Sequence, residues 1–131
     1  MLNNRWWITF NWRLCIYRKR GSRGSGNGQF RTPHTIAFDR EGNAYVTDTG
    51  NSRVEKFSAD GKFITKWGSK GSAEGSFNEP HNTPIDSRGN VYVSDMFNHR
   101  IQKFSSEGKY ITQWDRKDPE KGYFYSLLVS P

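Results

Sequence analysis

Short runs of β-branched and aromatic residues, separated by turn signals, recur along the middle of the chain. The runs cover residues 35–38, 44–47, 53–57 and 62–67, and clusters of Asp, Asn and Gly lie between them. Such runs predict four short strands that follow one another through tight turns. The sequence therefore predicts an antiparallel four-stranded sheet in this part of the chain.

The same pattern occurs twice, at a spacing of 47 residues. Residues 30–67 align without a gap on residues 77–114, and the identical pairs include Phe30/Phe77, Pro33/Pro80, Asp48/Asp95, Asn51/Asn98, Arg53/Arg100 and Trp67/Trp114. A fixed period indicates a repeat architecture, in which each unit buries its face against a neighbour. Four-stranded sheets repeated in this way form the blades of a β-propeller. We therefore predict an all-β chain with two full blades of four antiparallel strands, which is a partial propeller.

The repeat divides the chain into three parts. Residues 21–115 hold the two units, at 28–67 and 75–114. Residues 1–20 form a basic, aromatic leader with the alternation of one strand, and residues 116–131 begin a truncated third unit. Within the second unit, Pro84 falls in the predicted first strand. Because proline has no N–H to donate, we expect Pro84 to shorten that strand.

The positive charge of the chain is concentrated near its N-terminal end. The formal charge is +7, and residues 1–27 hold six basic residues and no acidic residue. A single cysteine excludes an internal disulfide and a cysteine-based zinc site. Asn11 and Arg13 interrupt the apolar residues of the leader, so the leader is not typical of a signal peptide or a membrane span. These features lean toward the cytoplasm but leave the compartment undecided.

The two units resemble the NHL repeat. Residues 77–104 carry the resemblance through Asp95 and the Asn98-His99-Arg100 signature, and residues 30–57 match with Asn51-Ser52-Arg53 in its place. The resemblance implies a β-propeller, usually with six blades. Members of the family include platforms that bind protein or RNA and a metal-dependent lyase that cleaves peptidyl-hydroxyglycine. The repeat does not choose among these functions.

The most regular polar residues favour a structural role. Asp48 and Asp95 precede a tight loop, and Arg53 and Arg100 follow each of them five residues later. We expect the carboxylate to cap loop amides and the guanidinium to pair with a carboxylate. Asn51 and Asn98 complete this structural signature. A catalytic carboxylate is expected once in a chain. Because Asp48 and Asp95 recur in each unit, they are expected to stabilise the fold.

Basic and imidazole side chains provide the candidate sites. The recurring basic residues predict a binding face: Arg53, Lys56, Arg100 and Lys103. Acidic residues interleave with them, which weakens the case for RNA. His34 and His81 occupy equivalent positions and are candidates to share a zinc ion, although two ligands are too few for a complete site. The structural alternative is that each histidine bonds backbone beside its proline. We predict no catalytic residue and no cofactor.

The predicted function is a non-catalytic module that binds a protein or peptide. RNA binding and a segment of a metal-dependent propeller lyase are the alternatives. Two blades leave apolar faces without a neighbour. The sequence is therefore expected to be part of a longer propeller, a marginally stable short protein, or a self-associating one in which three copies complete six blades.

Overall fold

The computed structural model describes residues 23–115. The strands are β1 (Pro33–Phe38), β2 (Ala44–Asp48), β3 (Arg53–Phe57), β4 (Phe63–Trp67), β5 (Val91–Asp95), β6 (Arg100–Phe104) and β7 (Tyr110–Asp115). Two 3-10 turns, Thr49–Asn51 and Met96–Asn98, follow β2 and β5. The predicted leader strand and the predicted third unit lie outside the described residues. Among the described residues, no helix is long and apolar enough to cross a membrane.

The strands form two antiparallel sheets in simple sequential order. The first sheet has the order β1-β2-β3-β4, and the second has the order β5-β6-β7. In each sheet, a 3-10 turn joins two strands whose last paired residues are an aspartate and an arginine. Asp48 lies opposite Arg53, and Asp95 lies opposite Arg100. This is the all-β blade architecture predicted from the repeat.

The two sheets differ at their first strand. The second unit has two isolated bridges, Pro80 to Asp95 and Ile85 to Val91, where the first unit has β1. Pro84 lies between the bridges and accepts a hydrogen bond from Tyr92 N–H at 3.0 Å. Because Pro84 has no N–H to return, the ladder is interrupted there. The second sheet thus has three regular strands instead of the predicted four, and the shortening occurs at the predicted residue.

The main core fills the seam between the two sheets. Its buried side chains come from both sheets and from the loop between them: Tyr45, Val54, Phe77, Val91, Val93 and Phe104. A second cluster lies in the first unit and comprises Phe30, Ala44, Val46 and Phe57. The main core therefore needs both sheets, as expected of a repeat architecture, whereas the second cluster is buried within the first unit.

Polar contacts also cross the seam. Thr35 Oγ1 donates a hydrogen bond to the His81 carbonyl at 2.6 Å, and Thr49 Oγ1 donates to the Pro80 carbonyl at 2.6 Å. On the far side of the sheets, Lys56 Nζ donates to the Ser106 carbonyl at 3.0 Å. The two threonine bonds fix the irregular first segment of the second unit against the first unit, and the lysine bond ties the turn between β6 and β7 to it.

Candidate functional site

The loop before each first strand and the turn after each second strand meet at one end of the sheets. Thr49 N–H donates to the Thr32 carbonyl in the first unit, and Phe97 N–H donates to the Asn78 carbonyl in the second, both at 3.0 Å. We call this end the loop end. It comprises residues 23–32 and 49–52 of the first unit, and 68–80 and 96–99 of the second.

Two buried carboxylates hold the loop end together. Asp48 accepts hydrogen bonds from the Thr32 N–H at 2.9 Å and from the Asn51 amide at 2.7 Å. Asp95 accepts one from the Asn98 amide at 2.9 Å. Both aspartates are completely buried. Because carboxylates that accept several hydrogen bonds strongly order a loop, these contacts are those of a scaffold.

Two buried arginines continue this scaffold. Arg53 and Arg100 are each 6% exposed. Each guanidinium donates to three carbonyls of the loop before its own unit, those of Ser25, Gly26 and Gln29 for Arg53 and those of Ser72, Ala73 and Ser76 for Arg100. The sequence predicts two roles for Arg53 and Arg100, as scaffold residues and as members of a candidate binding face. They lie inside the fold and not on an exposed face, because the loop carbonyls need these donors.

The recurring lysines lie against aromatic rings. Lys56 Nζ is 5.1 Å from the centroid of the Tyr45 ring, and Lys103 Nζ is 5.6 Å from that of Tyr92. Both lysines are half-buried. A cation above an aromatic face gains electrostatic stabilisation. Of the four residues predicted for the binding face, these two keep partial exposure.

A third recurring network lies at the opposite end of the sheets. The Asp39 carboxylate accepts hydrogen bonds from the Asn43 amide at 3.0 Å and from the Tyr45 hydroxyl at 3.1 Å. Asp86 receives the equivalent bond from Tyr92 at 3.0 Å. Burial raises the pKa of Asp39, but these hydrogen bonds outweigh burial and the net pKa is lowered. Burial and the bond to Asp86 raise the pKa of Tyr92 to about 12. Near neutral pH, Asp39 is therefore charged and Tyr92 is neutral, which suits their roles as acceptor and donor in these structural hydrogen bonds.

Sequence reasoning missed this network, although a signal for it was present. Aspartate and tyrosine recur six residues apart, at Asp39 and Tyr45 and again at Asp86 and Tyr92. A tyrosine hydroxyl that becomes buried needs a hydrogen-bond partner, and the spacing across one tight turn supplies it.

The two candidate zinc ligands are in contact. The His34 and His81 rings have centroids 4.2 Å apart and are tilted by 36°. His81 Nε2 lies 4.0 Å from Glu79 Oε1. Within residues 23–115, no group of three or more His, Cys, Asp or Glu side chains is arranged to hold a metal ion. The structure thus brings the predicted pair together as a ring contact between neighbouring blades.

The loop end also carries an exposed aromatic residue that the sequence did not single out. Phe97 is 64% exposed, the largest value among the exposed large apolar side chains of the described residues. Its equivalent in the first unit is Gly50, where a Cβ would stand 2.7 Å from the Arg31 Cβ. The two units thus differ at this position, with Gly50 in the first and Phe97 in the second.

The family model of the NHL repeat matches residues 30–57. Residues 30–57 are thus an NHL repeat. NHL repeat-containing protein 3 of Mus musculus is 34% identical over 67 residues, which are 50% of this chain and 19% of the mouse protein. Protein lin-41 of Caenorhabditis elegans is 44% identical over 46 residues, which are 35% of this chain and 4% of lin-41. The matched NHL region thus spans a small part of these relatives.

Solved structures agree with the NHL blade architecture. A putative exported protein from Bacteroides fragilis superposes with a TM-score of 0.61 at 15% identity, covering 71% of this chain and 27% of that one. Virginiamycin B lyase from Staphylococcus aureus gives a TM-score of 0.53 at 17% identity, covering 69% of this chain and 29% of the lyase. At such identities the likeness shows the fold alone, which is that of β-propeller blades.

Proposed function

We propose that this chain is a non-catalytic binding module that docks a protein or peptide segment at the loop end of its NHL blades. The observation that carries the proposal is the exposure of Phe97, which is 64% accessible on a tightly bonded turn. Exposed aromatic side chains on rigid supports are typical anchors of protein interfaces.

The support of Phe97 is well ordered. Its N–H donates to the Asn78 carbonyl at 3.0 Å, and the preceding Met96 N–H donates to the Glu79 carbonyl at 3.2 Å. The turn ends at Asn98, whose amide bonds the buried Asp95 carboxylate. A backbone held in this way loses little conformational freedom when a partner binds, which favours affinity.

The recurring charged residues support binding over catalysis. The Asp48 and Asp95 carboxylates and the Arg53 and Arg100 guanidinium groups make equivalent bonds in both units, and all four side chains are buried. Groups that stabilise each repeat in the same way serve the fold. Function on a repeated scaffold resides where the repeats differ, and at the loop end they differ at Phe97.

A peptide array probed with the fluorescently labelled full chain tests the proposal. We expect a set of array peptides to bind, and Phe97→Ala to weaken their binding about tenfold or more, as for an anchor residue. Ile111→Ala is the matched control, because Ile111 is 47% exposed on the outer strand β7 and should leave binding unchanged. Circular dichroism confirms folding, and light scattering defines the assembly measured.

Two outcomes would overturn the proposal. One is an array with no peptide that distinguishes wild type from Phe97→Ala. The other is tight binding of a single-stranded RNA probe with a steep salt dependence and no peptide binding, because that pattern indicates contacts to phosphates.

A further inference from the structure

Glu79 has a backbone conformation that its repeat counterpart does not share. Its φ is +62°, whereas Thr32, the equivalent residue of the first unit, is not among the residues with positive φ. By contrast, Ser52 and His99 are equivalent positions and share a φ of +53°. The left-handed conformation of Ser52 and His99 recurs and belongs to the fold. That of Glu79 is specific to the second unit.

Such a conformation is strained for a residue other than glycine. Glycine would adopt it without strain. Strain of this kind is concentrated at sites where a side chain must be held in place for a ligand. The side chain that the strained backbone presents is a carboxylate with 39% exposure.

Glu79 adjoins the exposed aromatic residue of the same unit. The Glu79 carbonyl accepts from Met96 N–H, and the carbonyl of the preceding Asn78 accepts from Phe97 N–H. The two backbone segments therefore run side by side at the loop end. On its other side, the Glu79 carboxylate faces His81, with Oε1 4.0 Å from Nε2.

We propose that Glu79 and Phe97 form a subsite for a Lys or Arg side chain of the docked segment. The inference rests on the proposed function and names the chemistry of the partner. A half-exposed carboxylate offers charge-assisted hydrogen bonds to an ammonium or guanidinium group. An exposed phenyl ring attracts the same cation over its face and packs the aliphatic stem. A Lys or Arg side chain therefore suits the chemistry of each group.

The experiment uses synthetic peptides that share one apolar residue and carry Lys, Arg, Gln or Glu beside it. Fluorescence anisotropy measures their affinity for the wild-type chain and for Glu79→Gln, which keeps the shape of the side chain and removes its charge. We expect the Lys and Arg peptides to bind best to wild type. Glu79→Gln should weaken the Lys and Arg peptides about tenfold and leave the Gln peptide unchanged. Glu74→Gln, which removes an exposed carboxylate from the same loop, is the matched control.

The outcomes separate the two proposals. If Phe97→Ala abolishes binding while Glu79→Gln leaves the preference for basic peptides intact, the subsite is wrong and the docking function stands. Equal affinity for Lys, Gln and Glu peptides would also overturn the subsite. A higher affinity of Glu79→Gln for a single-stranded RNA probe, with no peptide binding, would overturn both proposals. Thermal unfolding confirms that each variant is folded.

Discussion

Glu55 of the first unit and Gln102 of the second occupy equivalent buried positions and accept the same hydrogen bond. Glu55 accepts the Gly28 N–H at 2.8 Å, and Gln102 accepts the Gly75 N–H at 2.8 Å. Only the glutamine has an amide to donate in return, and it does so to the Ser76 carbonyl at 2.7 Å. One repeat therefore buries an ionisable carboxyl group where the other buries a neutral amide.

We predict that Glu55→Gln stabilises the chain near neutral pH. Burial raises the pKa of Glu55 despite the Gly28 and Arg53 bonds. A carboxyl whose pKa is raised in the folded state stabilises the fold at low pH, and this contribution is lost as pH rises through the folded pKa. A glutamine at position 55 does not ionise, so stability is not lost as pH rises. Its amide can also donate to the Gln29 carbonyl, and this hydrogen bond is worth about 1 kcal/mol.

Urea unfolding over the acid-to-neutral range measures this effect. The difference between Glu55→Gln and wild type should grow as pH rises. The reverse change, Gln102→Glu, should introduce the same pH dependence into the second unit. Parallel pH profiles for Glu55→Gln and wild type would contradict the prediction.

Arg53→Lys should destabilise the fold by about 2–4 kcal/mol, because an ammonium group cannot reach the three loop carbonyls that the guanidinium fork bonds. The free energy of unfolding measured in denaturant tests this expectation. Arg40→Lys is the control, since Arg40 is exposed and its replacement should change stability by less than about 0.5 kcal/mol. Equal effects of the two substitutions would show that the loop does not need the fork.

Gly68→Ala should be more harmful than Gly75→Ala. Both glycines have positive φ, +111° and +83°. A Cβ at Gly68 would stand 2.6 Å from the Phe77 ring, whereas a Cβ at Gly75 would meet no atom within 4 Å. Backbone strain alone is expected to cost about 1 kcal/mol at Gly75, and the collision should bring Gly68→Ala to about 2–4 kcal/mol. Thermal unfolding of both variants measures the difference, and equal midpoints would refute the steric explanation.

Zinc is not expected to bind tightly at His34 and His81. The two rings are in contact at 4.2 Å, whereas zinc sites use at least three protein ligands around the ion. Calorimetric titration of the folded chain with zinc should show no stoichiometric binding. Stoichiometric uptake that disappears in His81→Ala would reverse this expectation and revive the metal hypothesis.

The sequence was sufficient to predict the blades, because the repeat period and the strand patterns are properties of the chain itself. Pro84 even located the interrupted ladder, since a missing N–H acts locally. The weaker predictions concerned exposure. Arg53 and Lys56 recur with equal regularity, yet Arg53 is buried while Lys56 is half-buried. The recurrence of a residue indicates that it has the same role in every unit. It does not indicate whether its side chain is buried or exposed.

The distinctive features of the second unit could be located only in part. The change from Gly50 to Phe97 is visible in the aligned units, but its exposure depends on how the preceding loop is placed. The positive φ of Glu79 has no sequence signal, because glutamate seldom adopts it.

Phe77 completes the seam of the first sheet from a position ten residues beyond the end of β4. The sequence repeat and the structural unit that buries its core therefore do not begin and end at the same residues. During synthesis, the first sheet would be complete before Phe77, whose ring covers its core. Each blade would therefore become stable only after the loop that follows it has also been synthesised. We expect the blades to fold in order along the chain, each becoming stable only after the first residues of the next blade have been synthesised.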